Sequence, residues 1–149
     1  MNVVWTTKKA IHFALGTYLL AQLLPALKTQ TTAIPGLMAT AVSIQSFFEV
    51  LPSPGAPLSV VLPSITGGLP NLLVIAAIPL AYWGAVRAAK ILGLLATLSA
   101  LICIATLMGG RDPAAPQIGC FVWILSMVQI ALIPQAEPQA DSTPGDRDH

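Results

Sequence analysis

Between Ala10 and Gly110 the chain offers little that prefers water: the ionisable side chains there are His12, Tyr18, Lys28, Glu49, Tyr82, Arg87, Lys90 and Cys103. So long a stretch with so few charges cannot clothe an ordinary globular core in a solvated surface. Over all 149 residues only 9% are charged, against about 25% in a typical soluble domain. Four of the six acidic residues, Glu137, Asp141, Asp146 and Asp148, sit in the last stretch of the chain. The net charge of +1 comes without any basic stripe, so nucleic acid is not an expected partner. A lipid bilayer is.

Crossing roughly 30 Å of hydrocarbon takes about 20 helical residues at 1.5 Å each. Four apolar runs approach that length, over residues 10–27, 69–86, 88–108 and 117–133. The first lies between Lys8, Lys9 and Lys28. The second opens with Pro70, which suits the first turn of a helix, and closes on Tyr82 and Trp83 before Arg87. The third is dense in Ile and Leu, from Ile91 to Leu107, and the fourth is set off by Pro113 and Pro116 on one side and Pro134 on the other. These runs predict an all-α fold, a four-helix transmembrane bundle over residues 1–134, with a disordered cytoplasmic tail over 135–149. Residues 87–90 are expected to form a tight helical hairpin and residues 109–116 a turn. The interval 29–68 carries five prolines and almost no charge. Within it Leu37, Ala41, Ile44, Phe48 and Leu51 recur at helical spacing, while Thr40, Ser43, Gln45, Ser46 and Glu49 make a poor lipid-facing span. Residues 36–51 therefore predict an amphipathic helix, at the interface or packed on the bundle.

Lys and Arg near span ends tend to stay cytoplasmic. With four spans, the clusters Lys8/Lys9 and Arg87/Lys90 fall on one side, both termini are cytoplasmic, and residues 29–68 face outward. Lys8, Lys9, the first apolar run and Thr31-Thr32-Ala33 also imitate a cleavable signal peptide, although that run is long for a signal core and contains Gln22 and Pro25.

No phosphate-binding loop, zinc pattern or nucleophile motif occurs, so the expectation is no metal and no certain reaction. Asp, Glu, Lys and Arg are absent from the four runs except at their edges, which disfavours proton-coupled transport. A loose polar group remains in the outer half of the membrane: Gln22, Asn71 and Gln117, with Cys103 and Cys120 at similar depth on helices expected to be antiparallel neighbours. The two cysteines are candidate redox residues, or small hydrophobes that merely pack. Tyr18, in mid-span, needs a partner for its hydroxyl, and with Gln22, Glu49 and Asn71 makes up the candidate binding residues. Ala89, Gly93 and Thr97, continuing a small-residue stripe from Ala85, predict a close helix contact within the chain or with another subunit. Pro79 is expected to kink the second span, and Trp5, Tyr82 and Trp83 to anchor the cytoplasmic interface; His12 reads as a solvated or interfacial residue.

One span, a long Pro-containing outward segment and three closely spaced spans resemble the organisation of the small DoxX-like and MauE-like membrane proteins. The residues carrying the resemblance are Phe13-Ala14-Leu15-Gly16, Ser46-Phe47-Phe48-Glu49-Val50-Leu51-Pro52, Leu62-Pro63 and Gly67-Gly68-Leu69. In place of the acidic residue expected near the start of the second span stand Thr66 and Asn71. The resemblance implies a quinone-linked or thiol redox context, with quinone as the cofactor it would bring. Three functions are therefore expected, in this order: a non-catalytic subunit or assembly factor with a membrane-protein partner or a second copy of itself; a thiol- or quinone-linked redox accessory; and a small-solute or lipid-handling carrier.

Overall fold

The structure is a computed structural model that describes residues 3–29, 32–51, 55–109 and 115–134, with side chains from Thr7 onward. The described residues are mostly helical, in five helices: α1 (Val3–Leu23), α2 (Gly36–Val50), α3 (Leu58–Tyr82), α4 (Val86–Met108) and α5 (Ile118–Ala131). Two of them, α3 and α4, are long and apolar enough to cross a membrane. The helices α2 and α5 are apolar but shorter, at 15 and 14 residues. The tail 135–149 and the side chain of Trp5 lie outside the described residues.

An all-helical expectation misses a small sheet. Strands β1 (Pro25–Lys28), β2 (Ala33–Pro35) and β3 (Ala115–Pro116) pair antiparallel in the order β2-β1-β3. Its cause is local. Pro25 disfavours helical geometry at the residue before it, so α1 stops at Leu23, short of the expected residue 27, and the chain leaves extended. The freed groups then find partners: Leu24 O accepts from Gly36 N at 2.8 Å and Ala26 O from Gln117 N at 2.8 Å. The starts of α2 and α5 are thereby pinned to the end of α1. Each carries a glycine in its first two residues because no larger residue fits there. A side chain at Gly36 would run into the Ala21 carbonyl, and one at Gly119 would lie 2.7 Å from Pro25 O.

The second span also differs from expectation. It begins at Leu58, not residue 69, and Pro63, Pro70 and Pro79 all lie inside the helix. Proline in a helix deprives the carbonyl four residues back of its donor. For Pro70 that carbonyl is Thr66 O, and Ser99 Oγ of α4 donates to it at 3.3 Å. A cross-helix hydrogen bond thus replaces the missing one, and the Pro- and Gly-rich stretch stays helical. The hairpin between α3 and α4 sits at Trp83–Ala85, upstream of the expected 87–90. There Ala85 N donates to Leu80 O and Gly84 N to Ala81 O, with Gly84 at φ 86°. This is a Schellman closure, which needs a left-handed residue at the position Gly84 holds. The predicted amphipathic helix is present as α2, packed on the bundle against α3 and α1.

Along α4, core and surface are inverted in size. On α4 the buried residues are Val86, Ala89, Gly93, Ala96, Ser99, Ala100 and Cys103, whereas Ile91, Leu94, Leu95, Leu98, Leu101 and Ile102 face outward. The small stripe seats α5: a methyl on Gly93 would lie 2.7 Å from the Ala131 backbone nitrogen. Thr97, half-buried, donates its Oγ1 hydrogen one turn back to Gly93 O at 2.8 Å. Gly93→Leu should therefore force α4 and α5 apart and lower stability by about 1–3 kcal/mol, measured by thermal unfolding in detergent. An unchanged melting temperature would mean that this face carries no packing.

Candidate functional site

Tyr18 and Gln22 occupy the buried stripe of α1 one turn apart, following Ile11 and Ala14, and the stripe turns them toward α3. There Asn71, 1% exposed, joins four helices. Its Oδ1 accepts from Trp123 Nε1 of α5 at 3.0 Å, from Tyr18 OH of α1 at 3.2 Å and from Thr40 Oγ1 of α2 at 3.5 Å. Its Nδ2 donates to Ser43 Oγ and, one turn back in its own helix, to Gly67 O, each at 3.2 Å. A side-chain amide has two donors and two lone pairs, so Asn71 is saturated by the protein itself.

Beside this network lies a cavity of about 310 Å³, walled by α1, α2, α3, α4 and α5 and roofed by Ala26, Leu27 and Ile34 of the sheet. Among the described residues its wall carries no Asp, Glu, Lys, Arg or His. The polar groups there are Gln22, Thr40, Ser43 and Asn71, with the Cys103 and Cys120 thiols and the Trp123 indole. Thr40 and Ser43 are tied into the Asn71 network, and Ser43 Oγ also donates to Thr40 O at 2.9 Å. Gln22 is different. Its Nε2 donates a long bond of 3.5 Å to Tyr18 O, while its buried Oε1 has no partner among the described residues. Reversing the amide would set its oxygen against a carbonyl, so this orientation is the one the hydrogen bonding selects. A second unpartnered amide oxygen, on Gln129, lies away from this wall.

Both cysteines are buried free thiols. Cys103 lies ten residues beyond Gly93 along α4, and Cys120 ten residues before Ile130 along α5. The antiparallel contact of Gly93 with Ile130 thus puts the two thiols at one level, and both line the cavity. Five sequence-selected residues therefore meet here: Gln22, Asn71, Cys103 and Cys120 in the wall, and Tyr18 through its bond to Asn71. Glu49 does not join them; it is exposed on α2 and accepts from Gln45 Nε2 at 2.7 Å. Gln117 stays outside the wall, with Nε2 on its neighbour's carbonyl. The packing residues Ala89, Gly93 and Thr97 serve the far end of α4. His12 is exposed and stacks edge-on against Tyr82 at 5.6 Å. Trp123 is a site residue that the sequence pattern did not select. The signal for it was an indole N–H placed in the middle of an apolar run, where it needs an acceptor.

Asn71→Leu strands the Tyr18 hydroxyl and the Trp123 N–H, and should cost on the order of 1–3 kcal/mol. Tyr18→Phe removes a single donor and should cost less than about 1 kcal/mol. Thermal or denaturant unfolding in detergent separates the two; equal effects would show that Asn71 organises nothing beyond one pair. The chain matches no protein-family profile, no curated protein and no solved structure.

Proposed function

We propose that this chain is a multi-pass integral membrane protein, crossing the bilayer four times with α1, α3, α4 and α5, and acting as a non-catalytic accessory or assembly subunit of a membrane complex. One observation carries the membrane reading: along α4, small residues fill the helix contacts while the large aliphatic ones point outward. On α4, Ala89, Ala96 and Ala100 are 0% exposed, while Leu94, Leu98 and Leu101 are 50% exposed or more. Water would drive the opposite arrangement, since exposed contiguous apolar surface beyond a few hundred Å² is rare on soluble monomers. In lipid, tails solvate Leu and Ile as well as a core does, and helices associate through close contacts at Gly, Ala and Ser. The same outward face suits a partner's transmembrane helix, which supports the subunit reading. Arg87 and Lys90 at the α3–α4 hairpin, with Lys8 and Lys9, favour a cytoplasmic location for that end and both termini.

The test is sidedness. In a background with Cys103 and Cys120 replaced by Ala, a cysteine at Ala33 should react with an impermeant maleimide in intact cells. One at Trp83, 81% exposed, should react only after permeabilisation. Labelling of both positions from the same side would overturn the four-span arrangement. Affinity purification in mild detergent should then recover a stable membrane-protein partner or a homo-oligomer; a monodisperse monomer would contradict the subunit reading.

A second reading, a thiol- or quinone-linked redox accessory of the DoxX-like kind, is favoured by the two free thiols at one level of one cavity wall. It expects both thiols to become resistant to alkylation on mild oxidation and to recover on reduction, with Cys103→Ser or Cys120→Ser abolishing the protection. Unchanged alkylation after oxidation returns both cysteines to packing.

A further inference from the structure

The cavity wall combines three properties that together describe a ligand. Its described residues are uncharged, so they offer an ionic guest no compensation for desolvation. It is large: apolar cavities of about 150 Å³ accept benzene, so about 310 Å³ holds roughly a dozen non-hydrogen atoms. And it holds a buried acceptor, Gln22 Oε1, that nothing in the described protein satisfies. Water is a poor occupant for such a place, because a buried water needs two to four polar partners. Thr40, Ser43 and Asn71, the other polar groups near Gln22, already bond to one another. The cavity is partly open and lies under the sheet, between the end of α1 and the start of α2.

We propose that this cavity is a binding site for a neutral, predominantly apolar molecule of about a dozen non-hydrogen atoms bearing one hydroxyl, which donates its hydrogen to Gln22 Oε1. The apolar part lies against Met38, Ala39, Val42, Ile104 and Leu107, and the indole of Trp123 closes the inner side. A medium-chain aliphatic alcohol or a substituted phenol has this chemistry. An alkane of equal length fills the same space but leaves the amide oxygen as it is now. An alkyl carboxylate carries its charge into a wall whose described residues include no counter-ion. Selectivity for the alcohol over both follows from one residue and the absence of charge around it. The site needs only the cavity and Gln22, so it stands whichever complex the chain serves.

The probe is decan-1-ol, titrated beside decane into the full chain in lipid nanodiscs. Trp5→Phe and Trp83→Phe leave Trp123 as the fluorophore of the three tryptophans. The alcohol should produce a saturable change in Trp123 emission. Gln22→Leu, of similar bulk, should weaken decan-1-ol by about five- to tenfold and leave decane unchanged, as loss of one hydrogen bond requires. Ala39→Phe fills the cavity and should abolish the saturable response to both; Val42→Phe does the same from a different position, and helical circular dichroism verifies that each variant is folded. Equal affinity of decan-1-ol for Gln22→Leu and the parent would overturn the assignment of the hydroxyl. A non-saturable response that both filling variants retain would mean that the alcohol acts on the bilayer alone, and would overturn the site.

Discussion

The side-chain amide of Asn71 is the constraint around which the bundle is arranged. A buried amide left without partners costs a few kcal/mol, more where no water can reach it. Satisfying it fixes the positions of Tyr18, Thr40, Ser43 and Trp123, and therefore the rotation of α1, α2 and α5 about their own axes relative to α3. Hydrophobic burial alone sets those rotations only loosely, because α5 is apolar on nearly every side and the apolar face of α1 is broad. A directional group in the interior supplies the register that the apolar pattern lacks.

Close approach does the rest. Gly36, Gly93 and Gly119 each stand where an added carbon would collide with backbone, so α2 on α1, α4 on α5, and α5 on the start of β1 are as near as main chains permit. The prolines that break ordinary helices are accommodated by the same neighbours. Pro70 frees the Thr66 carbonyl, and Ser99 of α4 occupies it. Pro25 ends α1 and starts the strand that roofs the cavity. The cavity follows from this geometry: α2 is held close to α1 at Gly36 and to α3 at Gly68, whose position leaves no room for a side chain against Phe47. Between those two pins, and below the sheet, small residues leave space unfilled.

The apolar runs and the basic residues at their ends made the helices legible, because length, hydropathy and terminal charge are all local properties. The limits of α4 and α5 needed little correction for that reason. Residues 58–68 were illegible as helix, since proline and glycine there argue for a loop, and what outweighs that local preference is tertiary: the Ser99 hydrogen bond to Thr66 O and the close packing of Gly67 and Gly68 on α2 and α4. The sheet was hidden likewise: strands of two to four residues have no periodicity to detect. For the site, the sparse polar residues of the apolar runs were sufficient to select Tyr18, Gln22, Asn71, Cys103 and Cys120. Which of them is saturated and which is left unpartnered depends on α2 and Trp123, and no spacing rule conveys it. Glu49 drew attention as an acid in a neutral segment, yet it sits on the exposed side of α2.

Lipid contact along α4 is the most direct test of the proposed membrane bundle. Single cysteines carrying a nitroxide, placed in turn from Leu94 to Ile102 in the reconstituted protein, report their surroundings through collision with oxygen, which concentrates in hydrocarbon, and with a water-soluble nickel chelate, which is excluded from it. The account predicts oxygen accessibility that oscillates with the helical period of about 3.6 residues. Maxima are expected at Leu94, Leu98 and Leu101, minima at Ala96 and Ala100, and low nickel accessibility throughout. High nickel accessibility at Leu94, Leu98 and Leu101 would place that face in water and contradict the account.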